Sequence, residues 1–202
     1  MSDKLLNNFE LLESSVIWSG SFSDQNLNSP QEIPQEIVIK QIVFDLQGTL
    51  VESNGERGQI ELIENILNLL NFLQNKNIAL FLWTSHCHAT CDKILTKMNL
   101  KNFFTDISNS SIHQVKPSPD GLTAMIGQNR SESTLVIGDS PSDMQGAHNF
   151  KAHKILCQWE RRMKKQSQQA PNAPREVSTY IDFLGEKIRV YHDPLDLLKD
   201  LR

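Results

Sequence analysis

The sequence predicts a three-layer α/β domain, with a mainly parallel sheet covered by helices on both faces. Two observations carry that prediction. Short, wholly apolar runs alternate with helix-period segments between residues 37 and 157, and strands apolar on both sides belong to buried parallel sheets. Three of those runs end in polar residues able to do chemistry, Asp45, Thr84 and Asp139. That is where the loops at the carboxyl ends of parallel strands form a site.

In chain order, Leu5, Leu6, Phe9 and Leu12 recur at helical spacing, which predicts a short amphipathic helix over 3–13. Residues 19–36 are rich in Ser, Asn, Gln and Pro and read as linker or extended loop. The expected division is therefore 1–36 as helix and linker and 37–202 as the domain, with its motif-bearing core at 37–157. The first core strand is expected over 37–46. A helix over 59–74 follows, its apolar face formed by Ile60, Ile63, Ile66, Leu67, Leu70 and Leu73. Next come a strand at 78–83, a helix at 88–98, a short extended piece at 103–107 and a helix at 120–128. A strand at 135–138, a helix at 143–150 and a strand at 154–157 close the alternation. Beyond it, 160–165 is a charged run and 166–174 is polar and proline-bearing. Residues 180–183 and 187–191 flank Leu184-Gly185-Glu186 and predict a hairpin or two edge strands. An amphipathic helix is expected over 194–201.

Bulk properties narrow the classes. At 202 residues the chain is long enough for one α/β domain with a real core. Its formal net charge of −4 gives no general attraction to nucleic acid or anionic membrane. Three cysteines, Cys87, Cys91 and Cys157, do not make a disulfide framework, so a reducing, cytoplasmic-type compartment is the expectation. Residues 1–4, Met1-Ser2-Asp3-Lys4, do not open a secretory signal, and no segment approaches the length of a membrane span. Export by a route without such a signal stays compatible with the sequence.

Four segments supply the chemistry. They are Phe44-Asp45-Leu46-Gln47-Gly48-Thr49-Leu50, Leu82-Trp83-Thr84-Ser85, Lys116-Pro117-Ser118-Pro119-Asp120-Gly121 and Ile137-Gly138-Asp139-Ser140-Pro141-Ser142-Asp143. Together they offer an acid, a hydroxyl, a cation and a pair of acids. In order and content they resemble the haloacid dehalogenase superfamily, most members of which are magnesium-dependent phosphatases with a Rossmann-like fold. The resemblance covers roughly residues 37–157.

The resemblance implies specific roles. Asp45 would be the nucleophile that forms an aspartyl-phosphate. Gly48 and Thr49 would turn the chain so that backbone N–H groups face the phosphate. Thr84 would hydrogen-bond a phosphoryl oxygen, with Ser85 as a second donor. Lys116 would neutralise charge on nucleophile and phosphate. Asp45, Asp139 and the Gln47 carbonyl would hold Mg2+ through hard oxygen ligands, with Asp143 binding the ion through water or orienting Lys116. An alternative for Asp143 is a simple acid at a helix N-terminus, stabilised by the helix dipole.

Gln47 departs from the family pattern, in which a second Asp serves as general acid and then base. An amide donates a hydrogen bond but exchanges no proton at useful pH, and general acid–base help is worth about 10²–10⁴ in rate. The loss matters least for a leaving group already stable as an anion, such as a phenolate of parent pKa about 10. Gln47 thus points toward aryl phosphates, phosphotyrosine first, or acyl phosphates. The same residue is compatible with a catalytically weak phosphoprotein-binding module. The chain between Thr49 and Gln59, and between Ser85 and Lys116, is short for a cap of domain size. In this it resembles cap-less, protein-tyrosine-phosphatase-like members, whose open sites admit phosphorylated side chains of proteins. A small-molecule phosphatase capped by a partner or by its own ends is the alternative.

Other features are weaker. His86-Cys87-His88 with Cys91 looks like a metal cluster, but zinc requires four ligands in a tetrahedron. His86 is a candidate substrate contact at the mouth of the site. Arg161, Arg162, Lys164 and Lys165 read as a solvated turn or a contact for an acidic partner, and nothing aromatic is interleaved to suggest nucleic acid. Trp18 and Trp159 fit core, interface or substrate platform.

Overall fold

The computed structural model describes residues 14–22, 34–54, 59–159 and 180–202. The expected helix over 3–13 and the basic run at 161–165 lie outside them.

Six strands run parallel in the main sheet: β3 (Gln41–Phe44), β6 (Ala79–Trp83), β7 (Asp106–Ser108), β8 (Thr134–Gly138), β9 (His153–Cys157) and β11 (Glu186–Tyr191). A seventh, β10 (Tyr180–Phe183), lies antiparallel on β11, giving the order β10-β11-β9-β8-β3-β6-β7. The hairpin expected near Leu184-Gly185 is therefore also the edge of the sheet.

Alternation along the strands builds two cores. Ile42, Phe44, Leu80, Leu82, Leu135 and Ile137 point to one face, where they meet α1 (Ile66–Asn75) and α2 (His88–Lys97). Val43, Phe81, Trp83 and Val136 point to the other, against α3 (Asp120–Ile126) and α4 (Pro141–Phe150). Each such side chain, fully buried, contributes ~1.5–3 kcal/mol of transfer free energy. The helix α5 (Pro194–Asp200) starts on an Asp193 cap and returns to α1 and the amino-terminal strand.

Three local expectations are corrected. The run 37–46 is not one strand. β1 (Val16–Phe22) pairs with β2 (Pro34–Ile39) in a separate antiparallel ribbon, and the chain bends at Lys40 before β3. Part of the 19–36 stretch is thus strand, not linker. The run 59–74 is not one helix either. β4 (Val51–Asn54) and β5 (Gln59–Leu62) form a second ribbon, and α1 begins only after Asn65, whose φ of 64° breaks any earlier helix. In β5 exposure alternates with period two, and the partner strand β4 overrides the helical spacing.

The termini of the described region are tied together. Ile17 and Arg202 exchange two backbone hydrogen bonds. Trp18 Nε1 donates to the Tyr191 hydroxyl at 3.1 Å, which donates to Asp200 Oδ2 at 2.7 Å. Among the described residues no helix is long and apolar enough to cross a membrane.

Candidate active site

The carboxyl ends of β3, β6 and β8 converge, as the sequence requires. Asp45 follows β3 directly, and its N–H donates to the Ile137 carbonyl of β8 at 2.9 Å. Thr84 follows β6 and Asp139 follows β8. Asp45, Asp139 and Asp143 each offer a carboxylate oxygen, and these atoms all lie within 4.8 Å of one another. Three hard anionic oxygens at that spacing suit a divalent cation such as magnesium, so the donor set fits the group the resemblance implies.

Lys116 completes the cluster. Its Nζ donates to Asp45 Oδ1 and to Asp143 Oδ1, each at 2.5 Å, with the lysine side chain 3% exposed. Burial alone would depress the ammonium, but the two carboxylates outweigh it and hold Lys116 above its ordinary value. At Asp45 the balance reverses. Burial is the largest influence and pushes its carboxyl up to about 6, with Asp143 adding to the rise and Lys116 opposing it.

Asp143 serves two structures at once. Ser140 caps α4 and receives the Asp143 N–H on its hydroxyl, while Asp143 Oδ2 accepts the Ser140 N–H at 3.0 Å. This capping box satisfies one carboxylate oxygen and leaves the other for Lys116. Asp143 thus lies in the first turn of α4 and against the Lys116 ammonium at once.

The loop after Asp45 turns tightly. Gly48 has φ +88°, and a Cβ there would fall 1.9 Å from Asp139 Oδ2, so glycine is required both by the backbone and by the approaching carboxylate. Gly48 donates its N–H to the Val51 carbonyl at 2.7 Å, closing the loop on itself. Thr49 is fully buried, its hydroxyl 3.3 Å from Cys157 Sγ and its carbonyl accepting the Trp159 indole N–H. Its side chain supports the loop rather than lining the site. Gln47 is half-buried and bridges to Val51.

The hydroxyl of Thr84, 3% exposed, accepts the His86 N–H at 3.2 Å, which leaves its own hydrogen to donate. Ser85 is exposed and His86 half-buried beside it. This loop is zipped to the segment leading to Lys116, since Ser110 N–H donates to the His86 carbonyl and His88 N–H to Ser111 Oγ. Cys87 is exposed and Cys91 buried. Among the described residues the His86–Cys91 segment forms no metal-ligand cluster.

One neighbour of the site lies beyond the roles assigned from sequence. The Trp83 indole, 2% exposed, places its ring centroid 4.7 Å from Lys116 Nζ. Its position just before Thr84 was visible, but a buried Trp at a strand end reads as core until the lysine's location is known.

A family model described as haloacid dehalogenase-like hydrolase matches residues 52–157, just over half of the chain. The matched span holds Thr84, Lys116, Asp139 and Asp143 and begins shortly after Asp45. No curated protein matches the chain. Solved structures do. A putative beta-phosphoglucomutase from Thermotoga maritima is 13% identical, with a TM-score of 0.59 over 80% of this chain and 97% of that one. A HAD-superfamily hydrolase of subfamily IA from Geobacter sulfurreducens is also 13% identical, with a TM-score of 0.58 over 80% and 98%. A predicted phosphoglycolate phosphatase from Haemophilus somnus is 17% identical, with a TM-score of 0.54 over 59% and 85%. At these identities the likeness is one of fold.

Proposed function

The chain belongs to the haloacid dehalogenase-like hydrolase family, and from that premise we propose that it is a magnesium-dependent phosphomonoester hydrolase working through Asp45. The observation that carries this reading is the buried Asp45–Lys116–Asp143 arrangement, with Asp139 completing the acidic triad.

In the proposed reaction an Asp45 carboxylate oxygen bonds to phosphorus as the bond from phosphorus to the leaving oxygen breaks. Water then attacks the aspartyl-phosphate, releasing inorganic phosphate and restoring the carboxylate. Lys116 holds Asp45 in place and keeps a positive charge where the phosphoryl group arrives, a stabiliser set before reaction begins. Thr84 Oγ1 donates to a phosphoryl oxygen, and Ser85 is the second donor at the mouth. Magnesium, held by Asp45, Asp139 and the Gln47 carbonyl, with Asp143 joined through water, would supply further neutralisation of the phosphoryl oxygens.

Substrate class follows from Gln47. An amide at that position offers no proton to the leaving oxygen, so the favoured substrates are aryl phosphates, phosphotyrosine in proteins foremost. The proposal includes a site without a cap of domain size, reachable by a phosphorylated side chain. The described residues between Thr49 and α1 form the β4–β5 ribbon, and those between Thr84 and Lys116 hold α2, a short turn and β7. A second reading, a phosphatase of small metabolites, draws support from the structural neighbours named for phosphoglycolate and phosphoglucose chemistry.

Hydrolysis of p-nitrophenyl phosphate, a phosphotyrosine peptide, a phosphoserine peptide and phosphoglycolate, with and without magnesium, tests the proposal. Aryl esters are expected to turn over fastest, and Gln47→Asp to raise the alkyl rates most, by ~10²-fold. Phosphoserine cleaved as fast as the aryl esters would end the leaving-group argument. Binding without turnover on all four would identify a phosphate-gripping module instead.

A further inference from the structure

The Lys116 ammonium has three N–H donors, and two of them go to Asp45 and Asp143. The side chain is only 3% exposed. The Trp83 ring centroid lies 4.7 Å from Nζ, inside the range in which an indole face attracts a cation. The ring is itself held in place. A Cβ on Gly146 of α4 would fall 2.2 Å from Trp83 Cη2, and one on Gly121 of α3 would fall 3.0 Å from Nε1. Two helices thus approach the indole through glycines, and the strand end carrying Trp83 continues into Thr84.

We propose that Trp83 is a positioning residue: its π-face holds the Lys116 ammonium between Asp45 and Asp143, so that an apolar core side chain acts on the reaction through the lysine. A flexible four-carbon side chain between two carboxylates has several ways to satisfy them. The indole face favours those that keep the charge against the ring and in contact with both acids. The proposal rests on the reading of Lys116 as the charge-neutralising group of a phosphohydrolase.

A desolvated cation–π contact is worth ~2 kcal/mol, about thirtyfold at 1.4 kcal/mol per decade. Trp83→Leu is therefore expected to lower kcat on p-nitrophenyl phosphate about thirtyfold with KM nearly unchanged. Trp83→Phe, which keeps a weaker π-face, is expected to recover most of that loss. In a Lys116→Met background Trp83→Leu should change the residual rate by less than twofold, because there is no ammonium left to place. An equal thirtyfold fall in both backgrounds would overturn the proposal, since the tryptophan would then act elsewhere or merely support the fold.

Indole emission of the magnesium-free protein provides a readout independent of catalysis and of how well Trp83→Leu folds. Lys116→Met is expected to shift emission when Trp83 is present and to leave it unchanged in Trp83→Phe, where Trp18 and Trp159 remain. A shift that persists in Trp83→Phe, or no shift at all, would also overturn it. If instead Lys116→Met keeps full activity while the Trp83-dependent emission shift is seen, the role of Lys116 in the proposed function fails and the contact itself stands.

Discussion

Gly48→Ala is the substitution whose consequence follows most directly from the geometry. The residue sits at φ +88°, where an L-side chain costs ~1–2 kcal/mol. The new Cβ would also lie 1.9 Å from Asp139 Oδ2 and 2.4 Å from its Cγ. Ordinary contact requires about 3.4 Å or more, so the Asp139 carboxylate has to retreat by roughly an ångström or more. Displacement on that scale costs on the order of 10²-fold in rate when it moves a group of the reacting constellation. Gly185→Ala is the matched control. Gly185 has φ +80° in the β10–β11 turn, but nothing stands within 4 Å of a Cβ built there. Both variants should lose a similar amount of stability from backbone strain, a few degrees in Tm for a chain of this size. Only Gly48→Ala should lose ~10²-fold in phosphatase rate and need more magnesium for half-maximal activity. Thermal unfolding and a magnesium titration of aryl phosphatase activity measure both quantities. Wild-type rate and magnesium response in Gly48→Ala would refute the placement of Asp139 in the site.

Two further predictions concern the frame around the site. Tyr191→Phe leaves the buried Trp18 indole N–H without its acceptor, which should cost ~1–3 kcal/mol and lower Tm by several degrees in thermal unfolding; an unchanged Tm would mean the clasp between β1, β11 and α5 carries no stability. His153, packed edge-on against Trp18, is held below its ordinary value chiefly by burial. Its unfolded form therefore takes up the proton first, and the stability linked to its neutral ring is complete above about pH 6.5 and is lost as pH falls below that. Asp45 works in the opposite direction: its raised value favours the folded state below about pH 4 and that contribution is lost as pH rises through about 6. The test is consequently the difference between wild type and His153→Gln, without magnesium, from pH 7 to 5: the variant should lose less stability on acidification, and parallel curves would exclude the linkage.

Much of the site was legible because its signals are local. Asp45, Thr84 and Asp139 each end an apolar run, and a residue that follows a buried parallel strand has nowhere to go but the carboxyl edge of the sheet. Lys116 and Asp143 were identified by their motifs, and they meet at 2.5 Å. The roles expected of Gly48 and Thr49 were only half legible. Sharp turning could be anticipated from the glycine, whereas the Gly48 N–H bond to Val51 and the burial of Thr49 against Cys157 depend on what packs around the loop. The errors in secondary structure have the same origin. Residues 59–62 carry helical spacing yet form β5 because β4 stands opposite, and residues 37–46 divide because β1 captures the first half.

Taken alone, the order of residues determined the alternation of strands and helices, the edge of the sheet at which the acids gather, and the charge types available there. Those properties depend on side-chain periodicity and on spacing within a few residues. Tertiary structure decided which strand each apolar run pairs with, which carboxylate oxygen of Asp143 caps a helix and which meets Lys116, and that an indole lies against the ammonium. The strand pairings, the Lys116–Asp143 ion pair and the indole contact join groups far apart in the chain, and their free energies depend on the burial that brings them together.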